Sequence, residues 1–384
     1  MKKDKKASNS RLPHASSNPF IYGKVVREEE FCPRPQELKA LKNSILSGQN
    51  MALLGERRIG KTSLLKEAVR NTKRHTELYV DLMQIKSIED LIKRFFHAIH
   101  QIDTGFFDKT LKFFSVFKPV VTFDPASGKT GFSLSPGQKI APESLSAIFK
   151  LLKEIHQKKP LVVILDEFQD ILHLDCSSEC LAILRSEIQF LEKIPFWYSG
   201  SVRESIHGIF LSPDSPFYKS AQMIEIGPLP EEAFMKFLQA KFEVGGRTVS
   251  SSLLKEMIVA SSSVPGDVQE YCSALWEVSD FNSTLEQSHR EAALECIFSR
   301  EIKEYESYLL NLSSMQYRAL YALATVGGIA IQSQVFLQKA EISLPAGCQK
   351  AVDRLIELRI VYRHNKEYKF INPFFRQWLL HRGY

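Results

Sequence analysis

A chain of 384 residues with 44% hydrophobic and 24% charged side chains has length for two or three domains, and it is too apolar to be disordered, fibrous or a single small binding module. Its net charge of +6 is uneven, with +6 on residues 1–27, +5 on residues 345–384 and −5 on the span between, so both ends are basic and the middle is mildly acidic. Six cysteines without a preceding apolar signal segment, and a longest near-apolar run (319–331) well short of the roughly 20 residues of a membrane span, predict a soluble cytoplasmic protein with reduced thiols.

Residues 1–17 are polar and basic and read as a disordered tail. The first ordered signal is Asn18-Pro19-Phe20, and Leu38, Leu41, Ile45 and Leu46 then recur at the spacing of an amphipathic helix. An apolar strand over 51–54 runs into Gly55, a helix follows over 63–69, and a strand over 77–82 precedes a helix over 88–99. This is the βαβ alternation of a parallel sheet. Residues 105–140 interrupt it with Phe106, Phe107, Phe113, Phe114 and Phe117. Two alternating stretches, 120–123 and 131–134, then flank a DPASG turn and predict an inserted hairpin. Gly128-Lys129-Thr130 mimics a phosphate loop, but Phe123 stands where the first glycine belongs and strand alternation follows where a helix is required.

The alternation resumes with a helix over 142–158 and a fully apolar strand over 161–165 that ends in Asp166-Glu167. A helix over 181–193, a strand over 195–198 leading into Ser199-Gly200-Ser201-Val202-Arg203, and a last strand over 223–226 complete the sheet. His173, Cys176 and Cys180 lack a second ligand pair, so no metal site is expected there. From 231 to about 300 only helical periodicity remains. The end of the chain reads as three helices (314–324, 332–340, 346–359), two strands (360–363, 368–371) and a closing helix, which is the winged-helix order. The predicted fold class is α/β, a parallel sheet with helices on both faces, followed by an all-helical subdomain and a winged-helix domain. The predicted boundaries are 1–17 for the tail, 18–230 for the core with its insertion at about 105–140, 231–303 for the helical subdomain and 304–384 for the winged helix.

Gly55-Glu56-Arg57-Arg58-Ile59-Gly60-Lys61-Thr62-Ser63 satisfies GxxxxGK[ST] between strand and helix. The glycines let backbone N–H groups curl around a triphosphate, and the helix N-terminus adds its positive dipole end. Lys61 is expected to bridge the β- and γ-phosphates, and the Thr62 hydroxyl to complete a Mg²⁺ shell. Two carboxylates at the tip of a buried strand supply the rest: Asp166 would hold Mg²⁺ through water and Glu167 would polarise the attacking water.

These residues resemble the STAND branch of the AAA+-like P-loop NTPases, in particular the archaeal-type ATPase family that is also found in bacteria. The marks are Asn18-Pro19-Phe20, GxRRxGKTSLL at 55–65, LDEFQ at 165–169, Gly200-Ser201 after a strand, and INPFFRQWL at 371–379. The resemblance implies ATP and Mg²⁺ as cofactors, slow hydrolysis to ADP and phosphate, and a nucleotide-driven conformational switch. It further implies that Arg34, in Phe31-Cys32-Pro33-Arg34-Pro35-Gln36-Glu37, lies in the segment cradling base and ribose, with Pro33 where the family has glycine. Arg203 would face the γ-phosphate, and Pro265 would enter the lid helix against adenine, although Pro265 equally suits an ordinary first helical position. Trp276 reads as core, sharing a face with Tyr271, Leu275 and Val278.

The third winged helix offers Gln349, Lys350, Asp353, Arg354 and Glu357, and the wing offers Arg363, His364, Lys366 and Lys369. Acids among the bases favour docking to a protein partner or self-association over DNA. The alternative function is a DNA-binding AAA+-like initiator or regulator in which ATP licenses binding through the winged helix.

Overall fold

A computed structural model describes residues 17–102, 119–124, 129–134, 142–201, 204–364 and 366–382. They fall into two compact units, Val25–Gly227 and a second in which Pro228–Tyr384 is joined by the residues before Val25.

The first unit opens with helix α1 (Pro35–Ser47), strand β1 (Met51–Gly55), α2 (Lys61–Arg70), β2 (Thr76–Asp81) and α3 (Ile88–Ile102). An antiparallel hairpin of β3 (Pro119–Asp124) and β4 (Lys129–Leu134) follows, then α4 (Leu145–Lys158), β5 (Leu161–Asp166), α5 (Ser177–Ile188), β6 (Phe196–Ser201), α6 (Glu204–Leu211) and β7 (Gln222–Ile226). Five strands pair in parallel in the order β2-β5-β6-β1-β7. Strand side chains alternate between the two faces of a sheet, and here both faces are apolar. Val162, Ile164 and Trp197 pack with Leu41, Ile45, Leu64 and Leu65 from α1 and α2. Leu161, Val163, Leu165, Phe196 and Tyr198 pack on the other face with residues of α3, α4, α5 and α6. Trp197 also donates its indole N–H to Ser44 Oγ at 2.8 Å, so its one polar atom is satisfied inside the core.

The inserted hairpin forms as predicted, with Asp124 opposite Lys129 and Phe123 opposite Thr130, so the second Lys-Thr pair lies on a strand. Gly128 and the phenylalanines of 106–117 are outside the described residues. Helix α5 differs from the sequence expectation of 181–193. It begins at Ser177 and ends at Ile188, and the chain then tightens into turns (Leu191 N to Ile188 O, Ile194 N to Leu191 O). Ile188, Leu191 and Ile194 thereby all reach the core.

The second unit contains α7 (Glu231–Val244), β8 (Thr248–Val249), α8 (Ser251–Ala260), α9 (Pro265–Glu277), β9 (Thr284–Leu285) and α10 (Gln287–Leu310). It continues with α11 (Ser314–Val326), α12 (Gln334–Ala340), α13 (Pro345–Glu357), the antiparallel wing β10 (Val361–His364) and β11 (Glu367–Phe370), and α14 (Pro373–His381). Asn18-Pro19-Phe20 belongs here rather than with the sheet. Asn18 Nδ2 donates to Ser273 Oγ at 2.8 Å, Lys241 Nζ donates to the Pro19 carbonyl at 2.8 Å, and the Phe20 ring lies 4.5 Å from Phe242. Trp276 is core, as expected, with the Arg247 guanidinium 3.6 Å above its ring. Within this unit Tyr271 of α9 packs on Phe374 of α14 at 5.7 Å, and Tyr305 of α10 packs on Trp378 of α14 at 5.3 Å, so the closing helix is tied to the helices that precede the wing. Among the described residues, no helix is long and apolar enough to cross a membrane.

Candidate active site

β1 ends at Gly55 and α2 begins six residues later at Lys61, so the glycine loop sits at the carboxyl end of a strand flanked by β6 and β7. The loop turns through left-handed backbone at Arg58 (φ 65°) and Gly60 (φ 99°), the latter a conformation that glycine adopts without a Cβ penalty. Buried Ile59 anchors the loop in the core, while Arg57 and Arg58 point to solvent and Glu56 is half-buried. Such a loop aims consecutive backbone N–H groups at one point, adjacent to the first turn of a helix.

Lys61 is only 6% exposed and donates from Nζ to the carbonyls of Gly55 and Glu56, both at 3.0 Å. Burial pulls its pKa below the ordinary lysine value, and the nearby carboxylates of Glu167 and Asp166 oppose that pull. Ser63 Oγ accepts from the backbone N–H of Val26 at 3.2 Å and so faces the segment that leads into the unit.

Asp166, 4% exposed, is the hub of the site. Its Oδ2 accepts from Thr62 Oγ1 at 2.6 Å and from the Tyr79 hydroxyl at 2.8 Å. Its Oδ1 accepts from Ser199 Oγ and from the Glu167 N–H at 3.1 Å. Burial and the Asp166 charge push the Tyr79 phenol well above its ordinary range, which keeps its proton in place as a donor. The sheet makes the hub: Asp81 of β2 pairs with Asp166, and Leu165 pairs with Tyr198 of β6, so both neighbours of β5 present a hydroxyl to the same carboxylate. Glu167 follows in left-handed backbone (φ 52°), half-exposed, and its Oε2 accepts from Gln169 Nε2 at 2.6 Å.

The structure therefore brings together the loop Gly55–Ser63, Lys61, Thr62, Asp166 and Glu167. Arg34 is 3% exposed and serves the loop from behind, donating to the Ile59 carbonyl at 3.1 Å and to Glu37 Oε1 at 3.3 Å. Pro265 is the first helical residue of α9, in the other unit. Arg203 lies outside the described residues. Tyr79, Ser199 and Gln169 escaped sequence reasoning. The one local signal for Ser199 was a small polar residue ending the apolar run Phe196–Tyr198. Cys176 and Cys180 bring their Sγ atoms to 3.5 Å, and no group of three metal-ligating side chains occurs among the described residues.

Residues 31–248 match a family described as an ATPase domain predominantly from Archaea, and residues 303–381 match one described as a probable winged helix domain. No curated protein matches the chain. Among solved structures, a Walker-type ATPase of Pyrococcus abyssi is similar at 20% identity and a TM-score of 0.64, covering 95% of this chain and 100% of its own. The ORC2 protein of Aeropyrum pernix, in ADPNP–ADP complexes, is similar at 15% identity and a TM-score of 0.53, with 92% of this chain and 95% of its own covered. The ORC1 protein of the same organism, in complex with DNA, is similar at 13% identity and a TM-score of 0.51, with 93% and 94% covered. At these identities the likeness establishes the fold.

Proposed function

The chain belongs to the family of ATPase domains found predominantly in Archaea, and from that premise we propose that it is a Mg²⁺-dependent ATPase of STAND type whose slow turnover resets a conformational switch. The observation that carries the reading is the contact of Thr62 Oγ1 with Asp166 Oδ2, with Lys61 and Glu167 beside it. A hydroxyl and a carboxylate oxygen on the same spot are the hard donors that suit Mg²⁺, which takes oxygen ligands and keeps several waters. Bound there, Mg²⁺ would supply neutralisation of the charge that develops on the transferring phosphoryl group.

The protein's own residues do the rest. Backbone N–H groups of the 55–63 loop bind the phosphates, and Lys61 exchanges the Gly55 and Glu56 carbonyls for β- and γ-phosphate oxygens. Tyr79 and Ser199 hold the Asp166 carboxylate in place when Thr62 turns away from it. Glu167 takes the proton of the water that attacks the γ-phosphate in line. ADP and phosphate are the products. A switch predicts that hydrogen exchange in residues 228–382 differs between ATP-loaded and ADP-loaded protein; identical protection in the two states would contradict it.

A second reading, DNA binding licensed by ATP, is favoured by the basic C-terminal end and by Arg363, Lys366 and Lys369 on the wing. Against it, the exposed face of α13 is internally paired. Gln349 donates to Asp353 at 2.7 Å and to the Tyr368 hydroxyl at 3.1 Å, and Arg354 pairs with Glu357 at 2.7 Å. A protein partner or a second copy of the chain is therefore the preferred occupant. DNA affinity measured across salt decides: weak binding without steep salt dependence is expected, whereas a fall of roughly 10³-fold between about 50 and 200 mM salt would establish the DNA reading.

A further inference from the structure

Gln169 stands two residues beyond Glu167, in the short 3-10 helix Phe168–His173, and is 7% exposed. That helix is pinned by Phe168 and Ile171, both fully buried. Both N–H bonds of the Gln169 amide are committed, to Glu167 Oε2 at 2.6 Å and to Asp170 Oδ1 at 3.2 Å. Asp170 is itself fixed, its Oδ2 accepting from the Gln84 backbone N–H at 2.6 Å. With carboxylates on the nitrogen side, the amide has one permitted orientation, because the flipped one would set oxygen against oxygen. Its carbonyl Oε1 consequently faces inward and has no hydrogen-bond partner. It rests against Gly200, where a Cβ would come within 2.1 Å of Oε1 and within 2.6 Å of Ile206 Cδ1.

A buried acceptor without a partner is uncommon, and a packing residue at this place would be better served by an apolar side chain. We propose that Gln169 is a positioning residue for hydrolysis: it clamps one oxygen of Glu167 and so turns the other toward the water, in a slot kept open by the missing side chain at Gly200. The inference rests on the assignment of Glu167 as the base made above. It also gives Gly200 a role in the reaction that is independent of phosphate contact, since β6 delivers the space the amide needs.

Two variants approach the clamp from opposite sides. Gln169→Met keeps length and burial but removes the donor, whereas Gly200→Ala leaves Gln169 intact and fills its slot. Each is made in the full chain, and phosphate release, ADP affinity and Tm are measured. For Gln169→Met the expected result is a kcat about tenfold lower, with KM for ATP and ADP affinity unchanged and Tm no lower. Gly200→Ala is expected to lower kcat similarly. The double variant is expected to be no slower than the slower single one, because both act through one hydrogen bond. Gln169→Met turning over at the wild-type rate would overturn the inference alone, as would a change confined to KM or multiplicative losses in the double variant. If Gln169→Met fails to fold, Gly200→Ala at the wild-type kcat overturns it. Absence of phosphate release from the wild-type chain would remove the ATPase reading and the inference with it.

Discussion

Glu167→Gln is expected to bind ATP as the wild-type chain does and to release phosphate at least about a hundredfold more slowly. The substitution is nearly isosteric, and a glutamine accepts the left-handed backbone of this position no worse than a glutamate, so the loop and the Asp166 hub keep their geometry. What is lost is the only function ascribed to the side chain, taking the proton of the attacking water. Lys61, Thr62 and Asp166 are untouched, so affinity is preserved and the whole effect falls on kcat. Equilibrium titration with a fluorescent ATP analogue and a phosphate-release assay on one preparation separate the two quantities. Turnover within threefold of wild type would remove Glu167 from the chemistry.

Lys61→Met produces the opposite split. Nucleotide affinity is expected to fall on the order of a hundredfold, because two charge-assisted contacts to phosphate disappear. Stability is expected to hold or rise. The folded-state pKa of Lys61 is depressed below its model-compound value of 10.5 by burial, so the unfolded chain binds that proton more readily than the folded one. The ammonium form therefore destabilises the fold, and this penalty fades as pH rises through the depressed folded-state pKa and is gone above 10.5. Methionine removes the buried charge while keeping most of the volume. The carbonyls of Gly55 and Glu56 lose a donor, which limits the gain. Thermal melts at neutral pH without nucleotide check this; a Tm lower by many degrees would mean that Lys61 is a structural tie rather than a functional charge held at the fold's expense.

Local pattern carries much of this molecule. The phosphate loop, the two acids at the tip of β5, the inserted hairpin and the three-helix-plus-wing terminus are each written within a few dozen residues, where period, turn residues and glycine spacing suffice. The Asp166 hub is different. Tyr79 is separated from Asp166 by 87 residues and Ser199 by 33, and they converge only because β2 and β6 flank β5 in the sheet. Strand order in a parallel sheet is fixed by crossovers and packing, and no local periodicity records it. The same holds for Asn18, which meets Ser273 across 255 residues of chain. Arg34 carries a contact of the same kind: the resemblance implies that its segment lies at base and ribose, and no motif records that its guanidinium donates to the Ile59 carbonyl under the loop.

Turnover of ATP at the proposed Thr62–Asp166–Glu167 constellation is read in the steady-state release of inorganic phosphate from ATP by the full chain, with Mg²⁺ and again with EDTA. Slow, sustained release that EDTA stops and Mg²⁺ restores is expected. Tight binding of ATP with no phosphate released in the presence of Mg²⁺ would contradict it and leave a nucleotide-binding scaffold in place of an enzyme.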